Sequence, residues 1–91
     1  LLGRKNALER LAAFLIEMVR RTGSDRSLQL AMPRHDIADY LGLTLETVSR
    51  QVSALKKDGI IHLEGKRHIM VPDMSLLLEE AGDDTDGGML V

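Results

Sequence analysis

The sequence predicts one small, mainly helical domain of the α+β class. Four segments have the pattern of helices, at residues 5–21, 34–41, 45–58 and 74–81. Three shorter segments have the pattern of strands, at residues 27–32, 60–63 and 68–71. A chain of 91 residues has the length of a single domain, which we place at residues 5–82.

The first helix and the first strand are predicted from their apolar periodicity. A loop at residues 23–25 (GSD) ends the helix, and Pro33 ends the weakly alternating strand 27–32. The helix has charged residues opposite an apolar face that repeats at steps of three and four: Leu8, Leu11, Leu15, Met18 and Val19, with Ala12 between them.

The second and third helices lie on either side of a short turn. Asp36 is in the first turn of the second helix, where the helix dipole favours a negative charge. Gly42 is able to end that helix in the left-handed conformation, and Thr44 is a good N-cap for the third helix, which Gly59 ends. A helix, a short glycine-containing turn and a helix are the signature of the helix-turn-helix motif.

The segments after the third helix predict a β-hairpin and a last helix. Residues 64–67 (EGKR) form the hairpin loop, and a hairpin directly after a helix-turn-helix is a wing. Asp73 is the expected N-cap of the last helix. The predicted architecture is therefore a winged helix-turn-helix, followed by a disordered acidic tail at residues 83–91.

Composition argues against several functions. The absence of Cys excludes disulfides, thiolate catalysis and cysteine-ligated metals within this chain. No apolar run approaches the ~20 residues of a membrane span. His35, His62 and His68 share no metal-ligand spacing, and no catalytic triad or phosphate-binding glycine loop is present. We therefore expect no enzyme activity, no cofactor and no metal.

Charge is unevenly distributed along the chain. In residues 1–72, twelve Lys and Arg against eight Asp and Glu give +4, whereas residues 73–91 carry six acids and no Lys or Arg. The predicted domain is thus mildly basic, as is typical of proteins that bind polyanions. Phe14 and Tyr40 are the two aromatic residues, too few for the stacking that single-stranded nucleic acids usually require.

The third helix has one polar and one apolar face. At about 100° per residue, Glu46, Ser49 and Arg50 share one side with Ser53 and Lys57, and the apolar residues of the helix lie opposite. Such a helix fits the DNA major groove, where Arg donates to guanine, a carboxylate accepts from a base amine and a small side chain meets thymine. Glu46 is informative because DNA phosphates repel a carboxylate. Its presence on this face therefore indicates a specific hydrogen-bond donor that offsets the repulsion.

At these residues the sequence resembles the cyclic-AMP-receptor/fumarate-nitrate-reduction (CRP/FNR) superfamily of bacterial transcription regulators. Residues 41–50 (LGLTLETVSR) carry the resemblance, and their E-x-x-S-R core matches the oxygen-responsive branch. Residues 1–12 (LLGRKNALERLA) and 32–40 (MPRHDIADY) are similar to the FixK subgroup. Pro33 departs from the family, in which the first helix of the motif often has Thr as its N-cap.

The resemblance implies a cytoplasmic bacterial homodimer with a sensory domain and a long dimerisation helix, of which residues 1–4 are the hinge remnant. It implies that the dimer binds palindromic double-stranded DNA with TTGAT-like half-sites and contacts RNA polymerase to activate or repress transcription. Glu46, Ser49 and Arg50 are then the base contacts. Candidate phosphate contacts, which position a protein without reading sequence, are Arg34, Thr44, Thr47, Ser53, Lys56, Lys57, Lys66 and Arg67.

Each candidate also has a structural interpretation. Glu46 complements the N-terminus of its helix and, four residues before Arg50, is placed to form an ion pair with it. Thr44 is an N-cap, and exposed Ser and Lys residues need no function. The rival hypothesis is a winged-helix module for protein–protein assembly, which predicts an apolar or acidic face in place of Glu46, Ser49 and Arg50.

Overall fold

The computed structural model describes residues 5–22, 27–29, 32–65 and 67–82. The elements follow in the order α1 (Ala7–Thr22), β1 (Ser27–Gln29), α2 (Arg34–Leu41), α3 (Leu45–Lys57), β2 (His62–Glu64), β3 (His68–Met70) and α4 (Met74–Ala81). This arrangement confirms the predicted winged helix-turn-helix. Both the predicted hinge remnant at residues 1–4 and the predicted acidic tail at residues 83–91 lie outside the described residues.

The three strands form one antiparallel sheet in the order β1-β3-β2. The central strand β3 pairs Ile69 with Leu28 of β1 and with Leu63 of β2. The predicted hairpin therefore provides the central strand and one edge strand of a three-stranded sheet, and the wing is anchored to the body of the domain through β1.

All described elements except β2 contribute buried residues to a single core. Helix α1 packs against α4, α3 and β1, and α2 packs against α3. The apolar face of α1 is broader than predicted, because Phe14 and Ile16 are buried as well as Leu11, Ala12, Leu15 and Val19. Among the described residues no helix is long and apolar enough to cross a membrane.

Reciprocal hydrogen bonds define the start of α1. The Glu9 backbone N–H donates to the Asn6 side chain, and the Asn6 backbone N–H donates to the Glu9 carboxylate, both over 2.8 Å. This capping box satisfies two of the donors that a helix N-terminus leaves free. The helix consequently begins at Ala7, two residues after the predicted start.

The predicted strand 60–63 was placed too early. Gly59 has φ +75°, and the Ile60 backbone N–H donates to the Leu55 carbonyl over 2.9 Å, as in a Schellman motif that ends α3. Ile60 and Ile61 are buried in the core, and β2 begins only at His62. Similarly, Met32 lies in a bend after β1, outside any strand.

The helix-turn-helix itself has the predicted bounds at both junctions of the turn. Helix α2 ends at Leu41, and Gly42 has φ +72°. The Leu43 backbone N–H donates to the Ala38 carbonyl over 2.8 Å, which completes a second Schellman motif. Helix α3 begins at Leu45 with Thr44 as its N-cap and ends at Lys57, one residue before the predicted end.

Replacing Gly42 tests the turn. A Cβ at this position has room, since its nearest neighbour would be Arg10 Nη1 at 3.9 Å, but the positive φ is unfavourable for L-residues. We expect Gly42→Ala to lower the free energy of unfolding by about 1–2 kcal/mol in urea titrations, with an unchanged m-value. Gly42→Asn is the control and should lose less, because Asn tolerates this conformation better. Equal stability of the unmodified chain, Gly42→Ala and Gly42→Asn would contradict a left-handed conformation at Gly42.

Candidate nucleic-acid interface

Helix α3 projects a polar face away from the core. Its buried residues are Val48, Val52 and Leu55. The predicted base-contacting residues are exposed on the opposite face, together with two of the predicted phosphate contacts: Glu46, Ser49, Arg50, Ser53 and Lys57. Lys56 is also exposed, at the side of the helix. The periodicity of the sequence thus predicted both faces of this helix.

Glu46 and Arg50 form an ion pair on the exposed face. Arg50 Nη2 lies 2.8 Å from Glu46 Oε2, and the two side chains remain 64% and 80% exposed. One guanidinium N–H is engaged in this bond, and Arg has five such donors. The pair therefore orients the guanidinium without hiding it from an approaching ligand.

Thr44 and Thr47 form hydrogen bonds with each other at the N-terminus of α3. The Thr47 backbone N–H donates to Thr44 Oγ1 over 3.1 Å, and the two hydroxyl oxygens lie 2.9 Å apart. Such a cap contributes typically about 1 kcal/mol. The structural interpretation of Thr44 is confirmed, and its exposed position next to Glu46 leaves the hydroxyl accessible.

A groove runs from the start of α2 to the wing. We call it the Ser49 groove, because Ser49 of α3 lines it together with Arg34 of α2 and Arg67 of the wing. Three predicted contact residues from separate elements thus meet here. Lys66 lies outside the described residues, so its placement in the wing loop stays a prediction. The remaining lining residues are Met32, Pro33, His35 and Leu45.

Arg34, which lines this groove, has a buried donor without a partner. Its Nε is the one buried side-chain nitrogen or oxygen in the described part of the chain that has no hydrogen-bond partner. A buried polar atom without a partner is unfavourable. Pro33, as the N-cap of α2, provides no side-chain cap. The start of α2 therefore has free donors and a positive charge beside Ser49.

The sequence analysis did not single out Leu45, although it is 50% exposed and lines the same groove. The sequence could have indicated Leu45, because it is the first residue of α3 and lies one helical turn before Ser49. Of the three histidines, His35 lines the groove, whereas His62 and His68 lie in strands. Within the described ranges no group of three His, Cys, Asp or Glu is placed to hold a metal ion.

The fold and this exposed face define a winged helix-turn-helix domain of a nucleic-acid-binding type. The family description "Crp-like helix-turn-helix domain" matches residues 9–80, and the chain belongs to this family. The resemblance to CRP/FNR and FixK regulators is thereby confirmed.

Individual relatives place the chain near the FixK and Fnr regulators. It is 56% identical over 99 residues to the transcriptional activator protein FnrL of Cereibacter sphaeroides, covering all of this chain and 40% of the relative. It is 54% identical over 68 residues to the nitrogen fixation regulation protein FixK of Rhizobium meliloti, covering 75% of this chain and 32% of the relative. The chain thus spans two fifths or less of these relatives.

A solved structure shows the same fold. The structure of FixK2 from Bradyrhizobium japonicum superposes with a TM-score of 0.79 at 51% sequence identity. The match covers 87% of this chain and 40% of that protein.

The Glu46–Arg50 pair is expected to contribute little to folding. Because both groups are largely exposed, water screens their attraction, and such pairs are worth about 0.3–0.5 kcal/mol. We expect Glu46→Gln to change the free energy of unfolding by less than about 0.5 kcal/mol. Thr44→Ala, which removes the cap of the same helix, is the comparison and should lose about 1 kcal/mol. If Glu46→Gln lost more free energy of unfolding than Thr44→Ala, the ion pair would be needed for the stability of the fold, contrary to this expectation.

Proposed function

We propose that this chain is the sequence-specific DNA-binding domain of a FixK-like bacterial transcription regulator. In this proposal α3 enters the major groove of double-stranded DNA and binds a TTGAT-like half-site. The observation that carries the proposal is the joint exposure of Glu46, Ser49 and Arg50 on the face of α3 opposite its buried residues.

The chemistry of the three side chains fits base edges. The Arg50 guanidinium is able to donate two hydrogen bonds to guanine O6 and N7, Glu46 to accept from the exocyclic amine of cytosine or adenine, and Ser49 to meet a thymine. Their ion pair leaves four of the five Arg50 donors free of Glu46. Binding therefore needs a redirection of two exposed side chains, with no change in the core.

The basic groups around the base-reading face are assigned to phosphates. We assign Arg34 and Arg67, which flank Ser49 in the groove described above, to contacts with phosphate oxygens. We assign the same role to the other phosphate candidates of α3 and the wing loop, namely Thr44, Thr47, Ser53, Lys56, Lys57 and Lys66.

The intact regulator is proposed to be a cytoplasmic homodimer that binds a palindromic site and contacts RNA polymerase. The named relatives, an activator and a nitrogen fixation regulator, support transcription control, and their greater length leaves room for sensory and dimerisation parts. A dimer reads two half-sites, so its second contact gains from a high effective concentration. We propose that the present residues act without a cofactor and without catalysis.

A salt titration separates this proposal from the rival protein–protein module. DNA binding should weaken steeply with salt, because neutralised phosphates release counterions. An assembly module would show little salt dependence with a TTGAT-containing duplex. The mixed polar face of α3 supports the DNA-binding alternative.

Arg50→Ala should abolish discrimination at the guanine of the half-site. We expect binding to a TTGAT duplex to fall about 5- to 150-fold, which corresponds to the 1–3 kcal/mol of one good base contact. Binding to a TTAAT duplex should change little, so the preference of the unmodified domain for TTGAT disappears. Fluorescence anisotropy with both duplexes measures this. Arg20→Ala, which removes an exposed charge on α1, is the control for net charge. Equal losses of Arg50→Ala on both duplexes would contradict base readout.

Lys57→Ala should weaken binding to all sequences alike. A phosphate contact has no sequence preference, so the ratio between the TTGAT and TTAAT duplexes should stay constant. The slope of log affinity against log salt should become shallower by about 0.9. Binding isotherms at four salt concentrations measure both quantities. An unchanged slope would show that Lys57 does not contact a phosphate.

A further inference from the structure

A histidine lines the Ser49 groove. His35 is the second residue of α2, and its side chain is 65% exposed, so that both solvent and a bound ligand are able to reach it. Histidine is the side chain whose charge ordinarily changes between pH 5 and 8, whereas an arginine stays charged and a serine stays neutral over that range. Among the described residues that line this groove, His35 is therefore the one whose charge responds to pH near neutrality.

Asp36 determines which nitrogen of a neutral His35 carries the proton. Its Oδ1 lies 3.2 Å from His35 Nε2, and 51% of the aspartate side chain is exposed. An ionised carboxylate only accepts hydrogen bonds, so it favours the tautomer with the proton on Nε2. In that tautomer Nδ1 has a lone pair and no proton, and it repels a phosphate oxygen, which is also an acceptor. Only the imidazolium, with an N–H on each nitrogen, is able to bond Asp36 and a phosphate at the same time.

The charges around His35 come from two elements of the described chain. Asp36 attracts a proton on the imidazole, whereas Arg34 of α2 and Arg67 of the wing line the same groove and oppose a further positive charge. The positive end of the α2 dipole opposes it as well. The residues that α3 contributes to the groove are uncharged. Two arginines and one aspartate sum to +1, and the imidazolium raises this sum to +2.

We propose that His35 is a proton-dependent phosphate contact, so that DNA binding by this domain takes up a proton. The inference rests on the proposed function, because it needs a phosphate backbone beside the Ser49 groove. A polyanion favours the charged imidazolium, and by linkage the imidazolium favours the polyanion to the same extent. The affinity for DNA is then higher under mildly acidic conditions and falls as the pH rises and His35 loses its charge.

This contact changes affinity and leaves the sequence preference as it is. Phosphates carry the same charge at every base pair, so a contact to them reads no sequence. The proposed base-reading side chains Glu46 and Arg50 do not line the groove. A change of pH should therefore alter binding to matched and mismatched duplexes by the same factor.

The test measures DNA binding of the unmodified 91-residue chain and of two His35 variants at about pH 6 and pH 8. Fluorescence anisotropy with the TTGAT and TTAAT duplexes gives the affinities. We expect the unmodified chain to bind both duplexes about 3- to 10-fold more tightly at the lower pH, as for one added charge near a phosphate. His35→Gln, which is neutral throughout, should bind at the lower pH as weakly as the unmodified chain at the higher pH. His35→Arg, which is positive throughout, should bind at the higher pH as tightly as the unmodified chain at the lower pH.

Salt dependence gives a second readout of the same contact. In the unmodified chain, the slope of log affinity against log salt should be steeper at the lower pH by up to about 0.9, and in both His35 variants it should be the same at the two pH values. His68→Gln is the matched control, because His68 Nδ1 also lies near a carboxylate, 3.5 Å from Glu64 Oε1, but His68 does not line the groove. This variant should keep the pH dependence of the unmodified chain.

Three results would overturn the proposal. A pH dependence that persists in His35→Gln would assign the titrating group elsewhere in the chain, and a loss of the dependence in His68→Gln would assign it to the wing. TTGAT-specific binding with equal affinity at the two pH values would contradict the role of His35 alone. A failure of the proposed function is distinguishable from all three, because the unmodified chain would then show no preference for TTGAT at either pH. Urea titrations at both pH values confirm that each variant is folded under the conditions of the binding measurements.

Discussion

The burial of one face of α3 is the constraint on which the candidate interface depends. Val48, Val52 and Leu55 are at most 6% exposed, and burying each is worth about 1.5–3 kcal/mol. Rotating the helix about its axis would expose them, so its orientation is fixed by the core. The polar residues on the other face need no stabilising contacts of their own to project outward. Packing thus determines which side chains meet a ligand, and chemistry determines what they recognise.

The turn before α3 sets the direction in which that face points. Gly42 ends α2 in the left-handed conformation, and the Thr44 side chain accepts from the Thr47 backbone N–H at the start of the new helix. Arg10 of α1 also bonds the Leu41 carbonyl, so the turn is held from the first helix as well as from within. The motif is therefore positioned by an element that takes no part in it.

Local patterns predicted much of this structure, and non-local contacts explain the remainder. The faces of α3, the caps at Thr44 and Asp73 and the bounds of α2 follow from residues close in sequence. The start of β2 was wrong because an Ile-Ile pair after glycine suits a strand equally well, and only the bond from Ile60 to Leu55 shows that it ends a helix. The meeting of Arg34, Ser49 and Arg67 depends on how three elements pack, and no spacing in the sequence gives it.

The Glu46–Arg50 pair explains how an acidic residue serves a domain that is proposed to bind a polyanion. A carboxylate on this face weakens attraction to every phosphate, whatever the sequence, because like charges repel. In the proposed complex, Glu46 accepts from a base amine and Arg50 donates to a guanine at the correct site, whereas at a wrong site both would lose their mutual bond without replacement. Specificity is a difference between affinities, and an unfavourable term at wrong sites increases it as effectively as a favourable term at the right one. The exposure of the pair matters here, since a buried ion pair would be too costly to redirect.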